Sequence, residues 1–318
     1  MTPNTVKVAA VQMESRPLQR EHNLAKASQL AEAAAKQGAQ LILFPELMPG
    51  GYLLTEEIWK TAEPFDGPSL QWLRKTAQCH SVYVGTTFLE REGNDFYNSF
   101  VLITPQGELA GRVRKSPPAS VEAYFYRAGN DLHFFDTDLG RIGVTICYEG
   151  LLYEHLNTLH QANVDIVLQP ASAPTPSVQF PISQRDADNF DTLIANGPQH
   201  YAKALGVPVI MANKAGKIET AMPGGLPELS SYFPGRSCIV DSNGTIKQQL
   251  NNETDALIVH TVKLDKRRKI LKAPTCYKKR WAMNVPWYAF IWRLTQWQGE
   301  RHYQRNEKRK LFNVRQSV

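Results

Sequence analysis

Short apolar runs alternate with helical stretches through most of the chain, and this alternation restricts the fold more than any other feature. The run LILF at 41–44 has the length of a buried strand, and residues 82–88 and 207–212 have the same character. Residues 23–37 carry apolar side chains at helical spacing, and Gly38 terminates them. The alternation predicts an α/β class with mixed sheets, in which two sheets carry helices on the outside.

Two segments predict hairpins beside these βα units. Residues 97–104 and 109–114 would pair across Pro-Gln-Gly, and residues 237–240 and 246–249 would pair across Asp-Ser-Asn-Gly at 241–244. The other predicted elements are strands at 6–13, 142–146, 165–169 and 256–262, helices at 69–80, 151–162 and 192–205, and a Pro- and Ser-rich loop at 171–188.

Positive charge is concentrated at the C-terminal end of the chain. The formal net charge is +6, but residues 263–318 hold 16 Lys and Arg against 3 Asp and Glu, whereas the other 262 residues hold 20 against 27. We therefore predict a main domain at 1–265 and a basic, aromatic-rich extension at 266–318. The overall charge is not a property of the main domain, so we expect no nucleic-acid partner.

The extension contains an apolar face at helical spacing, with basic residues around it. We expect this face to pack on the chain's own body or across a homodimer or higher homo-oligomer. A second interpretation is weak contact with an anionic membrane surface, which basic helices with tryptophans favour. The residues of the face are Trp287, Phe290, Ile291, Leu294 and Trp297.

The N-terminus and the cysteines indicate where the protein works. Residues 1–14 enter a strand-like run directly, without a basic region followed by an apolar one. The cysteines are widely spaced, which predicts reduced thiols and a cytoplasmic location. They are Cys79, Cys147, Cys238 and Cys276.

Three ionisable residues lie where predicted strands end, which is where ligands bind in α/β sheets. Glu46 follows LILF and a proline, Lys115 follows the strand 109–114, and Cys147 follows the strand 142–146. A thiol needs a base or a cation to become a nucleophile, and attack on a carbonyl or nitrile carbon needs a cation or N–H donors nearby. These three residues supply a base, a cation and a nucleophile.

The segments around these residues resemble a known family. LILFPELMPGGY, GRVRKSPP and GVTICYEG occur in the order of the three signature segments of the nitrilase superfamily, the carbon–nitrogen hydrolases. VEAYFYRAGND, VPVIMANKAG and FPGRSCIVDSNGTI are also similar to family segments, so the resemblance covers residues 5–265. The chain is identified from these segments as a member of that superfamily.

The resemblance implies a four-layer α-β-β-α sandwich and a set of roles. Cys147 would be the nucleophile, Glu46 the general base and Lys115 the stabiliser of the tetrahedral intermediate, with the backbone N–H of Tyr148 sharing the oxyanion. Glu122 would orient Lys115 and the substrate amine. The family uses no metal or organic cofactor, and its members commonly form homo-oligomers.

The expected reaction is cleavage of a small amide or N-carbamoyl compound to an acid and ammonia through a cysteine thioester. Hydrolysis of a nitrile is the alternative, although Tyr148 and Glu149 stand where true nitrilases have Trp-Glu, which favours amides. From a different class, the chain could be a membrane-surface or scaffold protein built on a hydrolase body.

Four residues are candidates for substrate binding, namely Tyr52, Tyr148, Glu149 and Ser172. Glu149 has a second interpretation, as the cap of the following helix. The histidines form no metal-ligand pattern, since His155 and His160 are five residues apart and HExxH is absent, so we expect no zinc site.

Overall fold

The computed structural model describes residues 4–251 and 254–311. Strands β1 to β14 run through this part of the chain in the following order: β1 (Asn4–Gln12), β2 (Leu41–Leu43), β3 (Tyr83–Glu92), β4 (Asp95–Ile103), β5 (Leu109–Arg114), β6 (Phe134–Thr137), β7 (Gly140–Val144), β8 (Ile166–Ala171), β9 (Val209–Asn213), β10 (Ala215–Thr220), β11 (Leu229–Pro234), β12 (Cys238–Val240), β13 (Ile246–Gln249) and β14 (Ala256–Leu264).

Helices and single 3-10 turns connect these strands. The α-helices are α1 (Arg20–Lys36), α2 (Pro68–His80), α3 (Tyr153–Gln161), α4 (Gln184–Leu205), α5 (Ala289–Arg305) and α6 (Lys308–Leu311). The 3-10 turns are Glu56–Thr61, Ser120–Tyr124, Cys147–Leu151 and Lys266–Arg268.

Two six-stranded mixed sheets face each other and are covered by helices, so the predicted four-layer sandwich is confirmed. The first sheet has the order β14-β1-β2-β3-β4-β5 and the second has the order β13-β12-β9-β8-β7-β6. Helices α1 and α2 pack on the outer face of the first sheet, and α3 and α4 pack on that of the second. β10 and β11 form a separate hairpin.

The central core lies between the two sheets, where fully buried residues such as Val8, Leu43, Val144, Leu168 and Ile210 meet. β1, β2 and β3 are joined in parallel, as are β7, β8 and β9. Strands buried on both faces cannot alternate apolar and polar residues, which explains the continuous apolar runs in the sequence. Both parallel sets direct their carboxyl ends to the region of Glu46 and Cys147.

The structure differs from the sequence prediction mainly between 171 and 234. α4 begins at Gln184 rather than near 192, and Ser183 caps it by accepting a hydrogen bond from the Asp186 amide while Asp186 accepts one from the Ser183 amide. This capping box was readable in the sequence as Ser-x-x-Asp. β6 and the β10–β11 hairpin were not predicted, because their short, mixed runs carry no clear period.

The C-terminal segment packs on the body, but not with the face that the sequence suggested. α5 turns Ala289, Thr295, Gly299 and Tyr303 inward, against the 3-10 turn Ser120–Tyr124. The predicted packing of the aromatic face on the body is therefore wrong, because small residues allow the opposite face to approach more closely. The residues left exposed are Trp287 at 55%, Phe290 at 61%, Leu294 at 50% and Trp297 at 48%.

Within residues 4–251 and 254–311, no helix combines the length and the apolar character needed to cross a bilayer.

Candidate active site

The backbone brings the ends of the two sheets together at one edge. Glu46 lies three residues beyond the end of β2, and its amide donates to the carbonyl of Ala171, the last residue of β8 in the other sheet, at 3.2 Å. Lys115 directly follows β5, and its amide donates to the carbonyl of Asn98 in β4 at 2.8 Å. The ligand-binding edge that the strand ends predicted is thus formed by residues of both sheets.

Lys115 lies between two carboxylates. Its Nζ donates to Glu46 Oε1 at 2.6 Å and to Glu122 Oε2 at 2.8 Å, and all three side chains are almost completely buried. Asn98 Nδ2 also donates to Glu46 Oε1, at 2.7 Å. Among the described residues, Glu46 Oε2 has no hydrogen-bond partner although it is buried. One oxygen of Glu46 is therefore fixed, and the other is buried without a partner among the described residues.

Glu122 is held from three sides. Tyr52 donates its hydroxyl to Glu122 Oε1 at 2.8 Å, and the amide of Ala119 donates to Oε2 at 2.8 Å, alongside Lys115. Both oxygens are engaged, so Glu122 is placed to orient Lys115 rather than to accept a proton. Tyr52, a predicted substrate contact, lines the same cavity.

Cys147 opens the turn that follows β7 and borders a cavity of about 240 Å³. Its φ of +53° lies in the left-handed region, which a residue with a Cβ adopts only at a cost. Tyr148 and Ser172, both candidates for substrate binding, border the same cavity. The Ser172 hydroxyl donates to the carbonyl of Glu46 at 2.8 Å, so Ser172 also fixes the backbone that carries the carboxylate.

The buried charges change one another's proton affinities. Burial raises the pKa of Glu46 above its ordinary 4.5, and the opposing charge of Lys115 only partly offsets this. Burial alone would lower the pKa of Lys115, but Glu122 and Glu46 outweigh it and raise that pKa well above 10.5. Burial and then Glu46 raise the pKa of the Cys147 thiol. The surroundings therefore favour the neutral form of the thiol and the charged form of Lys115.

Glu149 does not border the cavity and both of its oxygens accept hydrogen bonds, so the structure gives no support to its predicted contact with substrate. It is completely buried and accepts hydrogen bonds from the Ser116 amide at 2.5 Å, from the Ile146 amide at 2.6 Å and from His133 Nε2 at 3.0 Å. It caps the turn that carries Cys147. The second interpretation, in which Glu149 caps the following helix, is not borne out, because Leu152 is the N-cap of α3 and no described side chain caps that helix. Because Ser116 follows Lys115, Glu149 ties the lysine segment to the cysteine turn.

His133, Glu149 and His155 form a buried group whose ligand atoms lie within 4.8 Å of one another. Three of the four ring nitrogens are already engaged, since His133 Nδ1 lies 3.2 Å from the Asp131 carbonyl, His133 Nε2 lies 3.0 Å from Glu149 Oε1 and His155 Nε2 lies 2.6 Å from the Ser116 carbonyl. We interpret the group as a hydrogen-bonded ion pair. Burial alone would lower the pKa of His133, but the charge and the hydrogen bond of Glu149 outweigh burial and raise that pKa. Burial lowers the pKa of His155.

Sequence reasoning missed several contributors to this region. Asn98 lies within β4 and reaches Glu46 only through the sheet register, and His133 and Glu149 are brought together by the β6–β7 hairpin. Tyr288 and Trp292 border the cavity from the C-terminal segment. No local motif marks these residues, because their proximity to the site depends on long-range contacts.

Comparison with known sequences assigns the chain to a family. The family model described as "Carbon-nitrogen hydrolase" matches residues 7–271. A nitrilase from Pyrococcus abyssi is 32% identical over 256 residues, which cover 77% of this chain and 97% of that protein. An N-carbamoylputrescine amidase from Solanum lycopersicum is 27% identical over 253 residues, which cover 77% of this chain and 82% of that protein.

Solved structures show the same fold at lower identity. A carbon-nitrogen hydrolase from Helicobacter pylori G27 superposes with a TM-score of 0.73 at 19% identity, covering 83% of this chain and 91% of that one. An amidase from Nesterenkonia sp. superposes with a TM-score of 0.67 at 20% identity, covering 82% of this chain and 90% of that one. With the family model matching residues 7–271 and the sandwich shared with these structures, the chain belongs to the carbon-nitrogen hydrolase family of the nitrilase superfamily.

Proposed function

We propose that the protein is a cysteine-dependent amidase that cleaves a small amide or N-carbamoyl compound to an acid and ammonia. The observation that supports this proposal is the geometry of Glu46, whose Oε1 is fixed by Lys115 and Asn98 while Oε2 is buried without a partner among the described residues. The charge of Glu46 also acts on the thiol of Cys147, which borders the cavity. A carboxylate with one fixed and one open oxygen is suited to act as a general base.

In the first half of the reaction, Glu46 takes the proton of the Cys147 thiol as sulfur attacks the carbonyl carbon. The negative charge that develops on oxygen is stabilised by Lys115 and by the N–H of Tyr148, since an amide at the start of a helical turn has no acceptor within that turn. The carbon–nitrogen bond then breaks, Glu46 returns the proton to the leaving nitrogen, and ammonia departs from a thioester.

In the second half, Glu46 removes a proton from water as the water attacks the thioester. The carbon–sulfur bond breaks, the thiol regains a proton, and the carboxylic acid leaves. Lys115 stays cationic throughout, because the two carboxylates raise its pKa. The raised pKa of the thiol explains why the site needs a base rather than a standing thiolate.

Nitrile hydrolysis is the second candidate, favoured by the relative from Pyrococcus abyssi that is called a nitrilase. Matched amides and nitriles of equal carbon number, assayed for released ammonia, separate the two activities. We expect the amides to be hydrolysed faster, with activity falling to background in Cys147→Ala. Faster hydrolysis of the nitriles would assign the enzyme to that second activity.

We also propose that the protein is cytoplasmic and works as a homo-oligomer. All four cysteines are free thiols, which fits a reducing compartment. The exposed apolar face of α5 supports a contact between copies, and light scattering of wild type and Leu294→Glu would test it. Binding of a monomeric wild type to anionic vesicles would instead favour the membrane-surface interpretation.

A further inference from the structure

Part of the cavity wall beside Cys147 comes from a segment that the family model does not match. Tyr288 and Trp292 border the cavity together with Phe190 and Leu193 of α4, whereas the family match ends at residue 271. The side of the cavity formed by Tyr288 and Trp292 therefore belongs to this chain's own C-terminal segment, and it borders the same cavity as Cys147.

Trp292 is the centre of an aromatic cluster that reaches the nucleophile turn. Its ring centroid lies 6.0 Å from that of Tyr148, 6.1 Å from that of Phe190 and 5.7 Å from that of Tyr288, each in an edge-to-face arrangement. Trp281 adds a further contact to Tyr148 at 6.1 Å. Because Tyr148 follows Cys147 directly, the C-terminal segment packs against the residue next to the reacting sulfur.

α5 is held firmly enough to serve as a wall. A Cβ at Gly299 would lie 2.7 Å from Tyr124 Cδ2, so only glycine permits this approach to the turn that carries Glu122. Thr295 Oγ1 lies 2.7 Å from Ser120 Oγ, and the Phe96 amide donates to the Tyr303 hydroxyl at 2.9 Å. These contacts fix the helix along its length.

The described residues that border the cavity offer no free charge to the distal end of a substrate. Among the described residues that border it, Glu122 is the one charged side chain, and Lys115, Tyr52 and the Ala119 amide occupy its oxygens. Asp191 lies outside the lining, and its carboxylate already accepts hydrogen bonds from Thr175 and Tyr232. An ammonium or carboxylate on the distal end of a substrate would lose its hydration without gaining a partner.

The volume sets the size of what fits. A cavity of about 150 Å³ holds a benzene ring, so a cavity of about 240 Å³ has room for an amide head and an acyl group of about one ring. We propose that the C-terminal segment completes the acyl site, and that Trp292, Tyr288 and Phe190 select an uncharged substrate with an apolar acyl group of that size. This inference rests on the proposed amidase function.

Three amides of similar length separate the chemical classes. Hexanamide is neutral, 6-aminohexanamide carries a distal ammonium group and adipamic acid carries a distal carboxylate. We expect kcat/KM for hexanamide to exceed that for each charged amide by about 100-fold, and to exceed that for propionamide by about fourfold per added methylene. A charged amide hydrolysed as well as hexanamide would overturn the inference.

Two tryptophans on α5 provide a matched test of the wall. Trp292 borders the cavity beside Cys147, whereas Trp297 is exposed and does not. We expect Trp292→Ala to raise the ratio of kcat/KM for 2-naphthylacetamide over hexanamide by at least about tenfold, and Trp297→Ala to leave it unchanged. Equal ratios in the two variants would contradict the role of Trp292.

A second variant guards against loss of folding. If Trp292→Ala is unstable in thermal unfolding, Trp292→Phe keeps most of the packing, and we expect it to raise the same ratio about threefold. An unchanged ratio in a folded Trp292→Phe would overturn the assignment. If no amide or nitrile is hydrolysed in a Cys147-dependent way, the proposed function fails. If the enzyme is active but does not prefer neutral apolar amides, only the present inference fails.

Discussion

Glu46 and Glu149 are both completely buried and both lie beyond the end of a central strand, yet their surroundings differ in one respect. Glu46 keeps Oε2 without a partner, whereas Glu149 accepts from Ser116 and His133 on Oε1 and from Ile146 on Oε2. One carboxylate has an open oxygen and acts electrostatically on the Cys147 thiol, and the other is saturated with hydrogen bonds.

The two pKa values move in opposite directions as a result. Burial dominates at Glu46 and raises its pKa, whereas at Glu149 the charges of His133 and His155 and the hydrogen bonds from His133 and Ile146 outweigh burial and lower it. Burial alone therefore does not decide what a buried glutamate does. Hydrogen bonds to its charged form suit Glu149 to a structural role, whereas the open oxygen of Glu46 fits the base proposed above.

Removing the base gives the largest expected effect. We expect Glu46→Gln to lower kcat by about 10²- to 10⁴-fold, because glutamine keeps the shape but cannot accept the thiol proton. Lys115 retains Glu122, so the midpoint of thermal unfolding should change little. Single-turnover kinetics and thermal melts on the same preparation measure both quantities. A Glu46→Gln enzyme with near wild-type kcat would remove Glu46 from the mechanism.

Removing the charge of Glu149 should mainly lower the stability of the protein. We expect Glu149→Gln to lower the free energy of unfolding in urea by about 3 kcal/mol, because it leaves the buried His133 without its counter-charge. Glu46→Gln is the matched control, with the same substitution at an equally buried position. A smaller loss at Glu149 than at Glu46 would reverse the comparison.

The pH dependence should separate activity from stability. In the proposed mechanism activity needs ionised Glu46, so kcat/KM should fall on the acid side with a midpoint above 4.5. The pKa of Glu149 is lowered, so its stabilisation is present above about 4.5, the unfolded value, and is lost only as pH falls through the lower folded pKa. We expect the protein near pH 4.5 to be folded by circular dichroism, weakly active and fully recoverable at pH 7. Joint loss of activity and structure would contradict this.

The smallest effect concerns Asn98, whose amide stabilises the charged form of Glu46. We expect Asn98→Ala to move the acid limb of kcat/KM upward by about one pH unit. Ser172→Ala is a useful control, since Ser172 bonds to the carbonyl of Glu46 and not to its carboxylate. An equal shift in both variants would indicate a general disturbance of the segment rather than loss of one hydrogen bond.

The sequence predicted the residues around Glu46 better than the surroundings of Glu149. Glu46, Lys115 and Cys147 were recognisable because each follows an apolar strand within a distinctive segment, and the structure brings Glu46 and Lys115 into contact beside the cavity of Cys147. Glu149 was assigned to substrate binding because its position beside the cysteine is visible in sequence, whereas its partners are not. His133 and Ser116 meet it only through the packing of β6, β7 and the lysine segment.

The fold, too, was predictable from the sequence where local pattern determines it, and not where long-range packing does. Long apolar runs gave the central strands and the helices α1 and α2 to within a few residues, since local pattern determines them. The orientation of α5 could not be predicted from the sequence, because its more apolar face is not the face that packs on the body. Gly299 and Thr295 allow close contact with the turn at 120–124, and a hydrophobicity pattern does not register such steric fit. The main-domain and extension boundary near 265 stays a prediction.

The most direct test of the site is to trap the covalent intermediate on Cys147. Wild-type enzyme is mixed with hexanamide, quenched in acid within milliseconds to seconds, digested and measured by mass spectrometry. The account predicts a hexanoyl adduct, a mass gain of acyl minus hydrogen, on the peptide containing Cys147, which decays as hexanoic acid appears and is absent from Cys147→Ala. Continued hydrolysis by Cys147→Ala, or an acyl group on another residue, would contradict it.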